Sequence, residues 1–262
     1  MYLGCTSESY SPALAAGRLT LGDFIRICGD ELGLRAVELE DAHIGEPTPA
    51  RLDELRAAAD RHRLEIVDVA LMNNFGLADE AKRHAEAVRT EAWIPASRRL
   101  GSRFLRTFAG WPEGDRAARW PDMLAALRGV TAAAERAGVQ LVLENHNHGG
   151  FVQTADDVLA IFQAVGSPAL ALLLDTGNYL DGLASIRRTA SLARHVHAKF
   201  RRVGPDGRDA LVDHAAVVTE LDRVGYAGCL SVEYEGEEAP ETAVPRAVAH
   251  LKDLLAGQGI AA

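Results

Sequence analysis

The stretch RAGVQLVLENHNHGGF, residues 136–151, changes character three times. Arg136 and Ala137 close an Ala-rich amphipathic segment, and Gly138 follows at once. Glycine accepts the left-handed backbone in which helices commonly end. Val139 to Leu143 are then almost wholly apolar, as expected of a strand buried on both faces of a parallel sheet. From Glu144 the chain turns polar, with Asn145, His146, Asn147 and His148 ahead of Gly149 and Gly150. Helix, glycine, strand and polar rim therefore succeed one another within a single short stretch.

The same punctuation recurs outward in both directions. ELGLRAVEL, RLGSRFLR and RVGYAGCLSV each place glycine past a helix-like segment and then begin a strand. Eight strand-like runs result: MYLGC, RAVELE, EIVDVAL, RFLRTFA, VQLVLEN, ALALLLD, HVHAKF and CLSVEYE. Helix-like stretches lie between them, at 20–32, 49–62, 78–99, 116–137, 154–164 and 213–224, with a helical tail at 240–255. Eight β–α units in 262 residues predict a single (β/α)8 TIM barrel spanning 1–262. A doubly wound open sheet is the competing architecture, but no G-x-G-x-x-G follows the first strand.

Composition narrows the function classes. The net charge is -9, from 37 acidic and 28 basic residues, and such a surface repels phosphate backbones. Nucleic acid is therefore not the expected partner. Cys5, Cys28 and Cys229 are few, distant and odd in number, which argues against a disulfide framework and for a reducing setting. No apolar run approaches the roughly 20 residues that span a bilayer, and MYLGCTSESYS lacks the basic and apolar regions of a signal peptide. The expectation is a cytoplasmic protein with no membrane partner.

Parallel barrels carry their chemistry at the C-terminal ends of the strands. Here the fifth strand ends in Glu144, the sixth in Asp175, the seventh carries His197 and the eighth Glu233. Period-two alternation puts His195, His197 and Lys199 on one face of the seventh strand, and Ser231 with Glu233 on one face of the eighth. Leu173 and Asp175 likewise share a face. Taken singly, each polar residue has a bland explanation as a cap or an ion pair: Asp175 capping a turn, Glu233 pairing with Lys199. Together, three carboxylates converging at one depth would repel each other without a cation, and burying them unpaired is costly. Three oxygens and one nitrogen suit one divalent metal, with Mn2+ as the leading ion and Mg2+, Co2+ or Zn2+ as alternatives.

The ordered motifs LVLENH…GG, LLLDTGN, HVHAKF and LSVEYEG resemble the sugar phosphate isomerase/epimerase family of xylose-isomerase-like TIM barrels. That superfamily includes ketose 3-epimerases, hydroxypyruvate isomerases, inosose dehydratases, dehydroshikimate dehydratases and endonuclease IV. The motifs cover the second half of the chain and specify no substrate. The resemblance implies that Glu144, Asp175, His197 and Glu233 hold the metal. It also implies that Glu144 and Glu233 exchange protons with a small carbohydrate-like carbonyl compound through an enediolate. Endonuclease IV chemistry is disfavoured by the acidic charge and by the single evident ligand set.

The resemblance leaves the outcome of proton transfer open among isomerisation, epimerisation and lyase or dehydratase elimination. A non-catalytic sugar-binding barrel is the alternative from another class. Ketose 3-epimerases carry His three residues after the sixth-strand Asp, whereas this chain has Asn178. His146 is a candidate acid or base, because imidazole titrates near neutral pH, or a brace of its loop. Asn145, His148 and Asn178 are candidate substrate contacts. Lys199 is open to two readings, an enediolate-stabilising cation or a structural ion pair, and so is Arg106, a substrate contact or a salt bridge in the barrel mouth. Trp111 offers a wall for a sugar ring or a contact in a homo-oligomer. Glu38 and His43, at and after the end of the second strand, are read as loop chemistry or substrate-edge contacts. His195, placed deeper than His197, is read as structural.

Overall fold

The computed structural model describes residues 1–146 and 148–260. Eight parallel strands close on themselves in chain order, each paired with the next and the last with the first. They are β1 (Tyr2–Thr6), β2 (Ala36–Glu40), β3 (Glu65–Ala70), β4 (Phe104–Thr107), β5 (Gln140–Glu144), β6 (Leu170–Asp175), β7 (Ala193–Phe200) and β8 (Cys229–Tyr234). All eight lie within the runs read from the sequence except β1 and β7, which extend by one and two residues respectively beyond them. The architecture is a (β/α)8 barrel.

The outer helices follow from local signals. Thr20 caps Leu21–Arg26 in a reciprocal capping box with Asp23, and Asp115 caps Arg116–Ala137. Gly101, Gly138 and Gly166 end their helices with positive φ, which explains the recurrent glycine before each of the following strands. The expected 20–32 helix is two pieces, because a π-helical turn at Ile27–Glu31 continues Leu21–Arg26. One helix, Leu183–Thr189, joins β6 to β7 although its stretch LASIRRT is too short to establish a period.

A compact apolar plug of Ala36, Val67, Phe104, Val142, Ala171, Leu173 and Cys229 fills the barrel below the site. Gly4 is required at this level, since a Cβ there would lie 2.7 Å from Cys229 Sγ. Two register shifts lie on this inner wall. One at Val37/Glu38 sets Glu38 beside Asp68, and one at Leu172/Leu173 sets Leu173 beside His195 and Asp175 beside His197. Among the described residues, no helix is long and apolar enough to cross a membrane.

Candidate active site

Glu144, Asp175, His197 and Glu233 converge at the C-terminal end of the barrel, as the strand-end pattern anticipates. One ligand atom from each falls within 4.8 Å of the others. Four atoms each bonded to one ion at about 2.1 Å lie within about 4.2 Å of one another, so modest side-chain movement closes the set. All four residues are buried. His197 Nδ1 faces the carboxylates, 3.1 Å from Glu233 Oε2 and 4.0 Å from both Glu144 Oε1 and Asp175 Oδ2. It is buried without a hydrogen-bond partner. A lone imidazole nitrogen aimed into three carboxylates is the arrangement a divalent cation requires, and the donor set fits it.

The electrostatics of the metal-free protein agree. Burial raises the Asp175 carboxyl well above its ordinary range, with Glu233 and Glu144 adding to the rise and Lys199 opposing it. Glu144 is raised by burial and by Glu233, against Arg106 and His197. Burial would also raise Glu233, but His197 and Lys199 outweigh it and hold the group well below its usual value. Burial would depress His197, yet Glu233 and Glu38 raise it well above the usual imidazole value. Without a metal, protons on these groups supply part of the missing positive charge.

Lys199 contributes the rest. Its Nζ lies 2.5 Å from Glu233 Oε2, 2.9 Å from Glu235 Oε1 and 3.1 Å from Asp175 Oδ2. The ion pair that is one of the two readings open for Lys199 is thus present. Gly177 makes room for it, since a Cβ there would come 2.7 Å from Lys199 Cγ. The Gly177 N–H also donates to Asp175 Oδ1 at 2.7 Å.

Arg106 likewise makes the salt bridge that is one of its two readings. Nη1 donates to Glu144 Oε2 at 3.1 Å and Nη2 to Glu40 Oε2 at 2.9 Å, all three side chains being buried. Asn145 departs from the substrate contact expected of it. It is fully buried and grips the Asp175 backbone from both ends, Nδ2 to the carbonyl at 2.9 Å and Oδ1 from the N–H at 2.8 Å. It ties β5 to β6 below the rim. Asn178 does stand in the site. Its Nδ2 donates to Asp175 Oδ2 at 2.8 Å and reaches Glu144 Oε1 at 3.4 Å, while Oδ1 accepts from Arg201 at 3.4 Å.

His146 and Trp111 meet in an aromatic wall with Phe108 and His148. Ring centroids are 5.1 Å apart for Trp111–His146, 5.3 Å for Phe108–His146 and 4.7 Å for His146–His148. Burial and the neighbouring His148 lower the His146 imidazole to about 4, so it is neutral at working pH. His148 is exposed, 3.5 Å from Arg201 Nη2. Asn147 lies outside the described residues.

Glu38 departs most from expectation. It is neither a loop nor a substrate-edge residue but fully buried beneath His197, and both His195 and His197 are bonded to it. Burial opposes its ionisation, yet His197 and His195 keep its carboxyl well below the ordinary range. The end of β2 is occupied instead by Glu40. His43 lies in the short helix Asp41–Ile44 rather than in a loop, bonded to Ser7 Oγ at 2.9 Å and Ser11 Oγ at 3.2 Å.

Three rim groups escaped sequence reading. Glu40 shares the parity of Glu38 within VELE, and Arg201 that of Lys199, so alternation could have found both. Glu8, in a short turn after β1, carries no periodic signal. It is half-buried, and burial together with Glu233 and Glu235 raises it to about 7. It borders a cavity of about 460 Å3 with Tyr234 and Glu235. A second cavity of about 540 Å3, lined by Arg201 and Arg202, flanks the other side of the Tyr234–Glu238 segment.

Known proteins resemble this chain in sequence and in fold. A 3-oxo-isoapionate decarboxylase of Pectobacterium atrosepticum is 33% identical over 156 residues, covering 58% of this chain and 50% of that protein. An L-ribulose 3-epimerase of Mesorhizobium japonicum is 32% identical over 148 residues, covering 53% and 48% respectively. The chain thus spans about half the length of the curated relatives it matches. A crystal structure of a D-tagatose 3-epimerase-like protein superposes with a TM-score of 0.80 at 19% identity, covering 98% of this chain and 100% of the other, a likeness of fold. The profile of the xylose isomerase-like TIM barrels matches residues 30–254, and the chain belongs to that family.

Proposed function

We propose that the protein is a divalent-metal-dependent sugar isomerase or epimerase acting on a small carbohydrate-like carbonyl substrate. The observation that carries this reading is the convergence of Glu144, Asp175, Glu233 and the unpartnered Nδ1 of His197 in one buried cluster. The L-ribulose 3-epimerase relative supports it. A divalent ion bound there, with Mn2+ as the leading candidate, would polarise a substrate carbonyl and its neighbouring hydroxyl and so acidify the C–H on the carbon that bears that hydroxyl.

The residues of the chain then divide the work. Glu144 and Glu233, from β5 and β8, are the proton-transferring pair, one taking the C–H proton and the other returning a proton to the enediolate. Return to the opposite face of the same carbon epimerises, and return to the adjacent carbon interconverts aldose and ketose. Arg106 and Asn178 fix the orientation of Glu144. The Lys199 ammonium, close to Glu233, compensates charge that accumulates on the oxygens during enolisation. The wall of Phe108, Trp111, His146 and His148 presents apolar ring faces to the C–H surface of a sugar. Neutral His146 is a hydrogen-bonding group there and, once a substrate excludes water, a candidate acid–base partner. A cytoplasmic setting and homo-oligomeric assembly belong to the same proposal.

A second reading is lyase, dehydratase or decarboxylase chemistry through the same enediolate. Two observations favour it: the decarboxylase relative, and Asn178 in place of the histidine of the ketose 3-epimerase pattern. The test is product analysis by NMR after incubating Mn2+-loaded protein with ketoses, 3-keto-sugars and 3-oxo sugar acids. An epimer or aldose supports the first reading, and loss of water, an aglycone or carbon dioxide supports the second. Tight sugar binding without turnover of any compound overturns both.

A further inference from the structure

Glu38 is shared by two imidazoles. Its Oε2 lies 2.8 Å from His195 Nε2, and both its oxygens lie 2.9 Å from His197 Nε2. All three residues are fully buried. These separations are hydrogen-bond lengths, so the three groups pair with one another through protons. An ionised carboxylate only accepts, so each ring must present an N–H from Nε2. A neutral imidazole carries one proton, and Nδ1 is then left as a lone pair. For His197, Nδ1 faces Glu144, Asp175 and Glu233, where a bound cation would take that lone pair; for His195, Nδ1 is buried with no partner.

We propose that Glu38 is the positioning residue of the metal centre, fixing the tautomer and ring orientation through which His197 offers Nδ1 to the cation, with His195 anchoring Glu38 from below. The inference rests on the metal-centred reading given under Proposed function. It assigns purpose to three features of the chain that the site itself does not use. The two histidines of HVHAKF are spaced by two so that one carboxylate serves both. Glu38 lies one alternation beneath Glu40, at the depth of the imidazoles rather than at the rim. The register shift beside it removes β3 from strict alternation at the same level.

The chemistry gives a sharp test, because Glu38→Gln keeps the size of the side chain and changes only its bonding. A carboxamide replaces one of the two acceptor oxygens with an N–H donor, and because both oxygen positions lie 2.9 Å from His197 Nε2, the amide nitrogen faces that ring in either orientation. The ring facing the amide N–H must accept at Nε2 and move its own proton to Nδ1, or leave a buried group unpaired. Either result spoils Nδ1 of His197 as a ligand or loosens the ring.

The experiment titrates the full chain with Mn2+, following free Mn2+ by EPR, and records nitrogen modulation from a coordinated imidazole by pulsed EPR. Metal-free thermal melts run alongside. We expect Glu38→Gln to weaken Mn2+ binding roughly 10–100-fold, with reduced or altered imidazole modulation and a cooperative metal-free melt. Should that variant not fold, His195→Gln is expected to weaken Mn2+ binding several-fold. Affinity within about twofold of wild type and unchanged modulation in the variant measured overturn the inference while leaving the metal site standing. Absence of Mn2+ binding by the wild-type chain overturns the metal-centred reading itself, and this inference with it.

Discussion

Lys199 Nζ lies 2.5 Å from Glu233 Oε2 and 3.1 Å from Asp175 Oδ2, so a cation of the chain shares two carboxylates with the proposed divalent ion. Both side chains of the closer pair are buried, and removing one partner of such a pair typically costs about 3–5 kcal/mol. Lys199→Met is therefore expected to lower the melting temperature of the metal-free protein at pH 8. Saturating Mn2+ should raise that temperature more in the variant than in wild type, because the ion then neutralises charge the ammonium no longer covers. Calorimetry with and without Mn2+ checks this, and equal metal-induced shifts would argue against a shared site.

Metal affinity should rise with pH. Although burial opposes it, Glu233 and Glu38 raise His197 well above its usual value, and burial raises Asp175 and Glu144. These protons must leave before the groups can ligate, so Mn2+ competes with them and binding releases at least one. Isothermal titration in buffers of different ionisation enthalpy measures the release. Uptake of protons on binding, or an affinity that falls as pH rises through neutrality, would contradict the ligand set.

His214 supplies a pH effect on stability away from the site. It is buried, stacked on Phe200 at a centroid distance of 4.1 Å, and neither ring nitrogen has a partner. Burial lowers it from 6.5 to about 4. The unfolded chain then binds more protons than the folded one between those values, so stability is full above about 6.5 and declines as pH falls towards 4. The contribution is on the order of 3 kcal/mol at its fullest. Urea unfolding of wild type and His214→Phe across this range isolates it: the difference in stability between the two should change steadily with pH, and a constant difference would show that His214 does not titrate as described.

Leu173 separates stability from function. It belongs to the plug under the site and is fully buried. Leu173→Ala should destabilise the fold by roughly 2–5 kcal/mol through lost burial and a residual cavity. Mn2+ affinity of the folded fraction should stay near wild type, because no ligand atom is altered. Denaturant unfolding and metal titration of the same sample check both halves.

Much of this molecule was legible in its sequence, and the exceptions are instructive. The barrel could be read because buried parallel strands are short and apolar and glycine marks where each helix must stop. The convergence of Glu144, Asp175, His197 and Glu233 could be read because strand ends in a barrel meet in space. Glu38 was misplaced because alternation gives the face of a residue but not its depth, and Glu40 rather than Glu38 closes β2. Asn145 is expected at a substrate because polarity at a rim does not reveal which partner wins, and the backbone of β6 holds it instead. Arg106 leaves two readings open for the same reason, and its salt bridge is the one present. The Leu183–Thr189 helix is too short for a periodic signal, and Glu8 reaches the mouth from a turn that has none.

The central claim is that these four residues hold one divalent ion by which a substrate C–H is activated. Mass spectrometry of a ketose recovered from deuterated water tests it most directly, with Mn2+-loaded protein, chelator-treated protein and Glu144→Gln compared. The account predicts deuterium incorporation with the loaded protein, its loss on chelation, its return when Mn2+ is restored, and its absence in Glu144→Gln. Incorporation that continues undiminished after chelation, or in Glu144→Gln, would contradict it.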